Sequence, residues 1–293
     1  MIKKGIRNGV TRYRCTRCGK SHSSTRRTKH KEEVVWNEYV HGKQTRKQLS
    51  KKFKVTTKTV ERLLDTHKPK EKKHDPRVIT AIFDATFFGR KNGALVVRDP
   101  NKHENLHAHE IHTETKAEYY LARYELEKLG YTFQAVVLDG KRGIPVVFKD
   151  IPVQICQFHQ WKIVVRKLTT RPKLPSHQLL LSIAGKIAEV NEKRMVHMLA
   201  VFAKEHHNDL NEKVHILGTN RSRHIHLKLR SAYLSLVRNL PFLFTYQKYP
   251  ELKIPNTTNS LDGYFSVLKM MVNVHRGLTT ERRVKVVKEI LGC

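Results

Sequence analysis

The chain has 293 residues, 39% of them hydrophobic, which is enough for one medium domain with small accessory modules. Its 57 Lys and Arg against 26 Asp and Glu give a formal net charge of +31, so the expected partner is a polyanion such as nucleic acid. No apolar run reaches the roughly 18 residues of a membrane span, and the basic N-terminus lacks a signal peptide's apolar stretch. We therefore expect a soluble, intracellular protein with no membrane partner.

Basic residues are concentrated at the front of the chain. Residues 1–77 hold 24 Lys and Arg against 7 Asp and Glu, a net of +17. Within residues 1–30, Cys15 and Cys18 have the spacing of a zinc knuckle, and Gly19 permits the tight bend. A tetrahedral zinc site needs two more ligands, for which His22 and His30 are available. A basic loop without metal is the alternative, and the four cysteines of the chain do not suit a disulfide framework.

Residues 31–66 predict three short helices, at Glu32–Tyr39, Thr45–Phe53 and 56–64, with threonines suited to N-capping. This layout is typical of a helix-turn-helix, in which the third helix contacts DNA. The residues expected to face DNA are Thr57, Lys58, Glu61 and Arg62. A small bundle that only packs against the main domain is the alternative. Residues 67–77 form a charged linker bounded by prolines.

From Val78 onward the pattern changes to strands. Val78–Gly89, 93–98 and 107–112 predict three strands, 115–129 an amphipathic helix, and 133–139 and 153–156 two further strands. This order predicts an α/β fold with the mixed sheet of a nuclease. We assign residues 78–160 and 251–293 to the core and residues 161–250 to a helical insertion.

Three aspartates occupy positions that suit metal-dependent phosphoryl transfer. Asp84 lies inside an apolar run, Asp139 ends another, and Asp262 lies at the start of a late helix. Carboxylates on neighbouring strands and a helix end can hold two divalent ions about 4 Å apart, which stabilise the attacking and leaving oxygens of a phosphodiester. The alternatives are backbone donors around Asp84, a turn role for Asp139, and a helix-dipole role for Asp262 at position N3 behind an Asn259 cap.

Four segments together resemble the transposases of bacterial insertion sequences with a ribonuclease H-like catalytic domain, in the broad group that includes Mutator-like elements. The segments, which span most of the chain, are 83–86 (Phe-Asp-Ala-Thr), 137–140 (Val-Leu-Asp-Gly), 156–159 (Cys-Gln-Phe-His) and 257–263 (Thr-Thr-Asn-Ser-Leu-Asp-Gly). The resemblance implies DNA transposition, with Mg²⁺ or Mn²⁺ held by Asp84, Asp139 and Asp262. It also implies terminal inverted repeats and target DNA as partners, and a location on the bacterial nucleoid. Because two ends must be paired, a homodimer on DNA is expected.

Further residues are candidates for support or DNA contact. The resemblance suggests that Cys156 and His159 support the active site or the DNA near the scissile phosphate, and a core pair is the alternative. Trp161 is a candidate for stacking on an unpaired base, or else a core aromatic. Further candidates for DNA contact near the site are Asn259, Lys269, His275 and Arg276.

Two departures from the family pattern bear on activity. Asp262 stands where the family usually has glutamate, and the first of two expected cysteine knuckles is missing, as in a shortened version of such a protein. Two other functions therefore stand beside transposition: an inactive DNA-binding remnant that regulates transposition, and a structure-selective nuclease of the same fold.

Overall fold

The structure is a computed structural model that describes residues 1–7, 10–23, 32–69, 74–88, 92–275 and 277–292. The chain divides into two compact units, Met1–Lys68 and Pro69–Cys293. The division falls inside the predicted linker of residues 67–77, and each unit is taken by itself below.

The first unit combines a small sheet with three helices. Its elements are β1 (Ile2–Arg7), β2 (Val10–Arg14), β3 (Ser21–Ser23), α1 (Glu32–Val40), α2 (Arg46–Lys52) and α3 (Thr57–Thr66). The strands pair antiparallel in the order β1-β2-β3. This sheet was not predicted, because its strands are short and mostly exposed and therefore lack an alternating apolar pattern.

The three helices of the first unit form where the sequence predicts them. Thr45 caps α2 with a reciprocal Gln48 contact, and the Thr56 side chain accepts a hydrogen bond from the Thr59 backbone in α3. Trp36 is fully buried and stacks on His67, with ring centroids 4.8 Å apart. Glu61 forms an ion pair with Arg46 of α2, so it joins two helices as well as lying on the expected DNA-reading helix.

The second unit is built on a five-stranded mixed sheet. Its strands are β4 (Val78–Phe87), β5 (Gly93–Asp99), β6 (Glu104–Ile111), β7 (Thr132–Leu138) and β8 (Val153–Ile155). Their order is β6-β5-β4-β7-β8, with antiparallel pairing from β6 to β4 and parallel pairing from β4 to β8. This architecture is α/β and compatible with the ribonuclease H-like fold.

Each face of the sheet carries its own apolar layer. Helix α4 (Lys116–Lys128) covers one face, where Phe83, Tyr119 and Phe148 pack together. Helix α11 (Asn259–Val274) covers the other, where Leu261, Phe265 and Leu268 pack against Ile82 and Val137. Helix α12 (Thr280–Leu291) lies on this second face too and was not predicted. The predicted apolar stripe of the late helix is therefore present.

A helical region separates β8 from α11. It contains α5 (Gln157–Leu168), α6 (Pro175–Gly185), α7 (Glu192–Glu205), α8 (His207–Asn211), a hairpin of β9 (Lys213–His215) and β10 (Ser222–His224), α9 (Leu227–Leu243) and α10 (Thr245–Lys248). These helices share an apolar cluster of their own. At its base, the side-chain amides of Gln154 and Gln157 both donate to the Leu243 carbonyl, at 2.9 Å each. The two ends of the region are thereby held together beside β8.

The start of α11 differs from the sequence-based expectation. Its N-cap is Thr258, which makes no capping hydrogen bond with its side chain, and Asn259 is the first helical residue. The proposed Asn259 cap is therefore wrong, and Asp262 is the fourth helical residue rather than N3. The Thr258 side chain does not cap the helix because its hydroxyl contacts Cys156 and His159, as described below.

Candidate metal centre

Parallel pairing of β4 and β7 brings two of the predicted aspartates to the same level of the sheet. Ile82 lies beside Val137 in the ladder. Asp84 is two residues beyond Ile82, and Asp139 is two residues beyond Val137. Because side chains alternate along a strand, Asp84 shares the face of Ile82, the face that α11 covers. The spacing thus directs Asp84 towards the helix that carries Asp262.

Two helix starts complete the cluster. His159 lies in the first turn of α5, directly after β8, and Asp262 lies in the first turn of α11. Asp84, His159 and Asp262 each present one potential ligand atom, and these atoms all lie within 4.8 Å of one another. Asp139 is not in this group, although its charge acts on both Asp84 and His159. The structure therefore brings two of the three predicted acids to ligand spacing with a histidine, and Asp139 stays outside this group.

Asp84 is the most buried member, with 5% of its surface exposed. Burial raises the pKa of Asp84 to about 7, and the charges of Asp139 and Asp262 add to this effect, while His159 opposes it. Its Oδ1 accepts a hydrogen bond from the Ala85 backbone at 2.8 Å, so the expected backbone donor is present. One such bond compensates a buried carboxylate only in part.

Asp139 also accepts a hydrogen bond that stabilises the turn after β7. Its Oδ1 accepts from the Lys141 backbone at 2.9 Å, and Gly140 has a φ of +84°. Burial, reinforced by the charge of Glu114, raises the pKa of Asp139. The turn role and a place beside the cluster are therefore compatible.

A hydrogen-bonded triad holds the imidazole. Thr258 Oγ1 lies 3.2 Å from His159 Nδ1 and 3.5 Å from Cys156 Sγ, which also receives the Thr258 backbone N–H at 3.3 Å. The side-chain hydrogen bond with Cys156, together with Asp84 and Asp139, raises the pKa of His159 to about 9. Burial alone would raise the pKa of the Cys156 thiol, but the hydrogen bonds with His159 and Thr258 and the charge of His159 together outweigh it, so the pKa is lowered. Cys156 and His159 therefore act as one unit.

The donor set fits a divalent cation. The buried carboxylate of Asp84, whose pKa is raised, lies at ligand spacing from one further carboxylate, that of Asp262, and from the imidazole of His159. Without a cation, the charge of His159 is the main influence that opposes the raised pKa of Asp84. A metal ion would compensate the buried charge of Asp84 more completely than one imidazolium and one backbone N–H.

Sequence reasoning missed several neighbours of the cluster. Glu114 precedes α4 and accepts hydrogen bonds from Tyr119 Oη at 2.7 Å and from Lys141 Nζ at 3.1 Å. It is thus a fourth acid whose charge reaches Asp139. Lys141 and Thr258 were missed as well. The available signals were that Lys141 stands two residues after Asp139, and that Thr258 belongs to the segment 257–263 and stands four residues before Asp262.

The other predicted site residues lie in varied surroundings. Trp161 is half-buried, packs against the helical cluster and stacks on Phe158 at 5.8 Å, as the core alternative predicts. His275 is 4% exposed, so the prediction that it lines a DNA path is wrong. Arg276 lies outside the described residues. The predicted DNA-contact residues that are exposed are Thr57, Lys58, Arg62, Asn259 and Lys269.

The cysteine turn of the first unit is more open. Cys15 and Cys18 lie between β2 and β3, where the Gly19 backbone donates to the Cys15 carbonyl at 3.0 Å and Gly19 has a φ of +68°. Among residues with described positions, neither cysteine belongs to a group of three or more potential ligands. His30 lies outside the described residues, and the zinc site stays a prediction.

The fold and cluster together define an α/β protein of mixed sheet with a candidate metal centre of two carboxylates and one imidazole. No protein-family model matches the chain, and no curated protein matches it. One similar solved structure is the cryo-EM structure of the simian T-cell lymphotropic virus intasome in complex with PP2A regulatory subunit B56 gamma. It has 11% identity and a TM-score of 0.22, over 71% of this chain and 68% of that chain. This likeness is too distant to assign a family or an activity.

No helix in the described parts of the chain is both long and apolar enough to cross a membrane.

Proposed function

We propose that the chain is a metal-dependent DNA transposase that cleaves phosphodiesters at the ends of an insertion sequence and joins them to target DNA. The observation that supports this most is the approach of Asp84, Asp262 and His159 to within 4.8 Å, with Asp139 at the same sheet level as Asp84. These residues lie far apart in the sequence, and their convergence is what the predicted chemistry requires. The net charge of +31 suits the DNA substrate.

The proposed chemistry has two steps. In the first, a water oxygen attacks phosphorus, the P–O3′ bond breaks, and the leaving 3′ oxygen takes up a proton. In the second, that 3′-hydroxyl loses its proton and its oxygen attacks a target phosphorus, a new P–O bond forms, the target P–O3′ bond breaks, and the leaving 3′ oxygen takes up a proton. Two bound Mg²⁺ or Mn²⁺ ions would supply charge neutralisation and a more acidic water.

The chain's own residues contribute binding and orientation. Asp84, Asp139 and Asp262 would hold the ions. Asp139 is fixed by the Lys141 backbone and by the turn at Gly140, so its carboxylate needs little reordering on binding. Lys141 Nζ already donates to the Glu114 carbonyl at 2.6 Å, which holds this loop near α4. Ligands that are held in place before the reaction stabilise the charge that develops in the transition state without having to reorganise.

The first unit is proposed to bind DNA. Thr57, Lys58 and Arg62 lie exposed along α3, so this helix can present them to a major groove as in a helix-turn-helix. The Cys15–Cys18 turn is proposed to hold Zn²⁺ once further ligands are supplied. Lys269 and Asn259 would contact phosphates near the candidate centre. Two copies of the chain would pair two element ends.

A strand-transfer assay tests the proposal. The protein is incubated with an end-containing duplex, a target plasmid and Mg²⁺ or Mn²⁺, and joined product is expected. Asp84→Asn preserves the shape of the side chain but removes its charge, and it should abolish cleavage and joining. The same variant should retain DNA affinity in a gel shift within a few-fold. The matched control, Glu189→Gln, changes an exposed carboxylate and should react like the wild type.

The same assay distinguishes transposition from the two alternative functions, a structure-selective nuclease and an inactive DNA-binding remnant. Cleavage without joining would point to a nuclease, and DNA retention without chemistry in the wild type would point to a binding remnant. Cleavage by Asp84→Asn at the wild-type rate would refute the proposed metal role of Asp84.

A further inference from the structure

The ligand chemistry of the candidate centre differs from that of an all-carboxylate site. Within the described residues, the group at mutual ligand spacing contains the imidazole of His159 in addition to the carboxylates of Asp84 and Asp262. Mg²⁺ demands oxygen ligands, whereas imidazole suits transition metals, and Mn²⁺ accepts both oxygen and nitrogen. The presence of a nitrogen donor therefore bears on which ion is preferred.

A contact at one ring nitrogen fixes the orientation of the His159 imidazole. Nδ1 faces the Thr258 hydroxyl at 3.2 Å, which leaves Nε2 as the nitrogen available to an ion beside the carboxylates. A hydrogen bond to the second ring nitrogen is the usual way in which proteins fix a metal-binding histidine. Cys156 does not compete for the ion, because its Sγ is turned towards Thr258.

The start of α11 positions two of the three metal-ligand candidates, His159 and Asp262. Thr258 precedes α11 and contacts His159, while Asp262 lies four residues later on the same helix. Thr258 is also fully buried, so its hydroxyl has a fixed place. The Thr258 hydroxyl thus holds the histidine of another element instead of capping α11.

We propose that His159 is a direct metal ligand, oriented by Thr258, and that it gives the centre a preference for Mn²⁺ over Mg²⁺. This deepens the proposed function, on which it rests for the use of the centre in catalysis. In this arrangement Asp84 and Asp262 supply oxygen donors and His159 supplies nitrogen. Thr258 is a positioning residue, since it acts only through the imidazole.

Pulsed electron paramagnetic resonance of Mn²⁺ bound to the intact chain tests the ligand directly. We expect a ¹⁴N coupling to the bound ion, which should be replaced by a ¹⁵N coupling after labelling of histidine with ¹⁵N. His159→Gln should remove the coupling. His109→Gln is the matched control, because His109 lies in a half-buried pair with His107 on β6, and it should leave the coupling unchanged.

The role of Thr258 and the ion preference have their own variants. Thr258→Val should weaken Mn²⁺ binding by about tenfold, as is typical for loss of a hydrogen bond behind a ligand. Thr258→Ser retains the hydroxyl and should restore most of the affinity, which a purely structural role in packing the methyl group does not predict. His159→Asp should lower the ratio of Mn²⁺ to Mg²⁺ affinity, because it converts the centre to oxygen donors.

The outcomes are distinguishable from those of the strand-transfer assay. A wild-type Mn²⁺ signal without histidine nitrogen coupling would overturn the ligand assignment, whatever the protein does to DNA. Coupling that disappears in His109→Gln but persists in His159→Gln would overturn it too. If the coupling follows His159 but no DNA chemistry occurs, the ligand assignment stands and the transposase proposal fails. If His159→Gln does not fold, the labelled wild type and the two Thr258 variants decide.

Discussion

Two pairs of potential metal ligands in this chain have the same spacing but different surroundings. Cys15 and Cys18 lie in an exposed turn between short strands, while Cys156 and His159 lie where β8 meets α5. The second pair contacts Thr258 from a distant segment and lies beside Asp84. The first pair has contacts mainly within its own turn. A short motif thus indicates ligand chemistry, but the packing around it decides whether the ligands are held in place.

The largest expected difference between the two regions concerns their glycines. Gly140 and Gly19 both have positive φ values. A Cβ at Gly140 would lie 2.8 Å from Ile155 Cγ2, whereas at Gly19 it would lie 3.6 Å from Arg14 Nη2. Gly140→Ala should therefore cost about 3 kcal/mol of unfolding free energy, from backbone strain and overpacking together. Gly19→Ala should cost about 1 kcal/mol, from strain alone.

Urea unfolding of both glycine variants measures this difference. Gly140→Ala should also weaken Mn²⁺ binding, because Asp139 belongs to the same turn. Equal costs for the two substitutions would show that the turn after β7 is no more constrained than the exposed one.

The second prediction concerns pH in the presence of a chelator. In the folded protein the pKa of Asp84 is raised to about 7 and that of His159 to about 9, from ordinary values of 3.8 and 6.5. A raised folded pKa contributes stability below the unfolded value, and that contribution is lost as pH rises through the folded value. Both groups therefore lower the unfolding free energy as pH rises, Asp84 between about pH 4 and 7, and His159 between about pH 6.5 and 9.

Thermal unfolding of the wild type and of Asp84→Asn across this pH range shows whether the unfolding free energy falls or rises with pH. The wild type should lose stability relative to the variant between pH 4 and 7, by an amount on the order of a few kcal/mol. Saturating Mn²⁺ should stabilise the wild type more at the upper end of that range, because the ion favours the charged carboxylate. A wild type that gains stability over Asp84→Asn with rising pH, without metal, would contradict the burial of Asp84 as its controlling influence.

The smallest expected difference between the two regions concerns the cysteines themselves. Cys156→Ala removes a fully buried side chain that accepts two hydrogen bonds from Thr258, and should cost about 2 kcal/mol. Cys15→Ala, in the exposed turn without zinc, should change the unfolding free energy by less than about 0.5 kcal/mol. Denaturant titration measures both. A cost for Cys15→Ala that matches that of Cys156→Ala would indicate that the first turn is held by contacts beyond its own residues.

The strands were predictable because their apolar runs are long and end at polar residues. The placement of Asp84 and Asp139 at neighbouring strand ends followed from the expected sheet. Asp262 was singled out by its place at the start of a late helix. In contrast, β1 to β3 carry too little apolar alternation to be recognised, and α12 was not singled out. Glu114 and Thr258 acquire their roles only through contacts with Lys141 and His159, which no local pattern encodes.

The paired donation of Gln154 and Gln157 to the Leu243 carbonyl closes the helical region at its root. A second bond lies beside this closure, since Thr245 Oγ1 donates to the Val153 carbonyl of β8 at 2.6 Å, and most of the remaining helices pack within a cluster of their own. Changes confined to the hairpin of β9 and β10 are therefore expected to leave both the acids and His159 of α5 in place, provided that both glutamines and their shared acceptor are preserved.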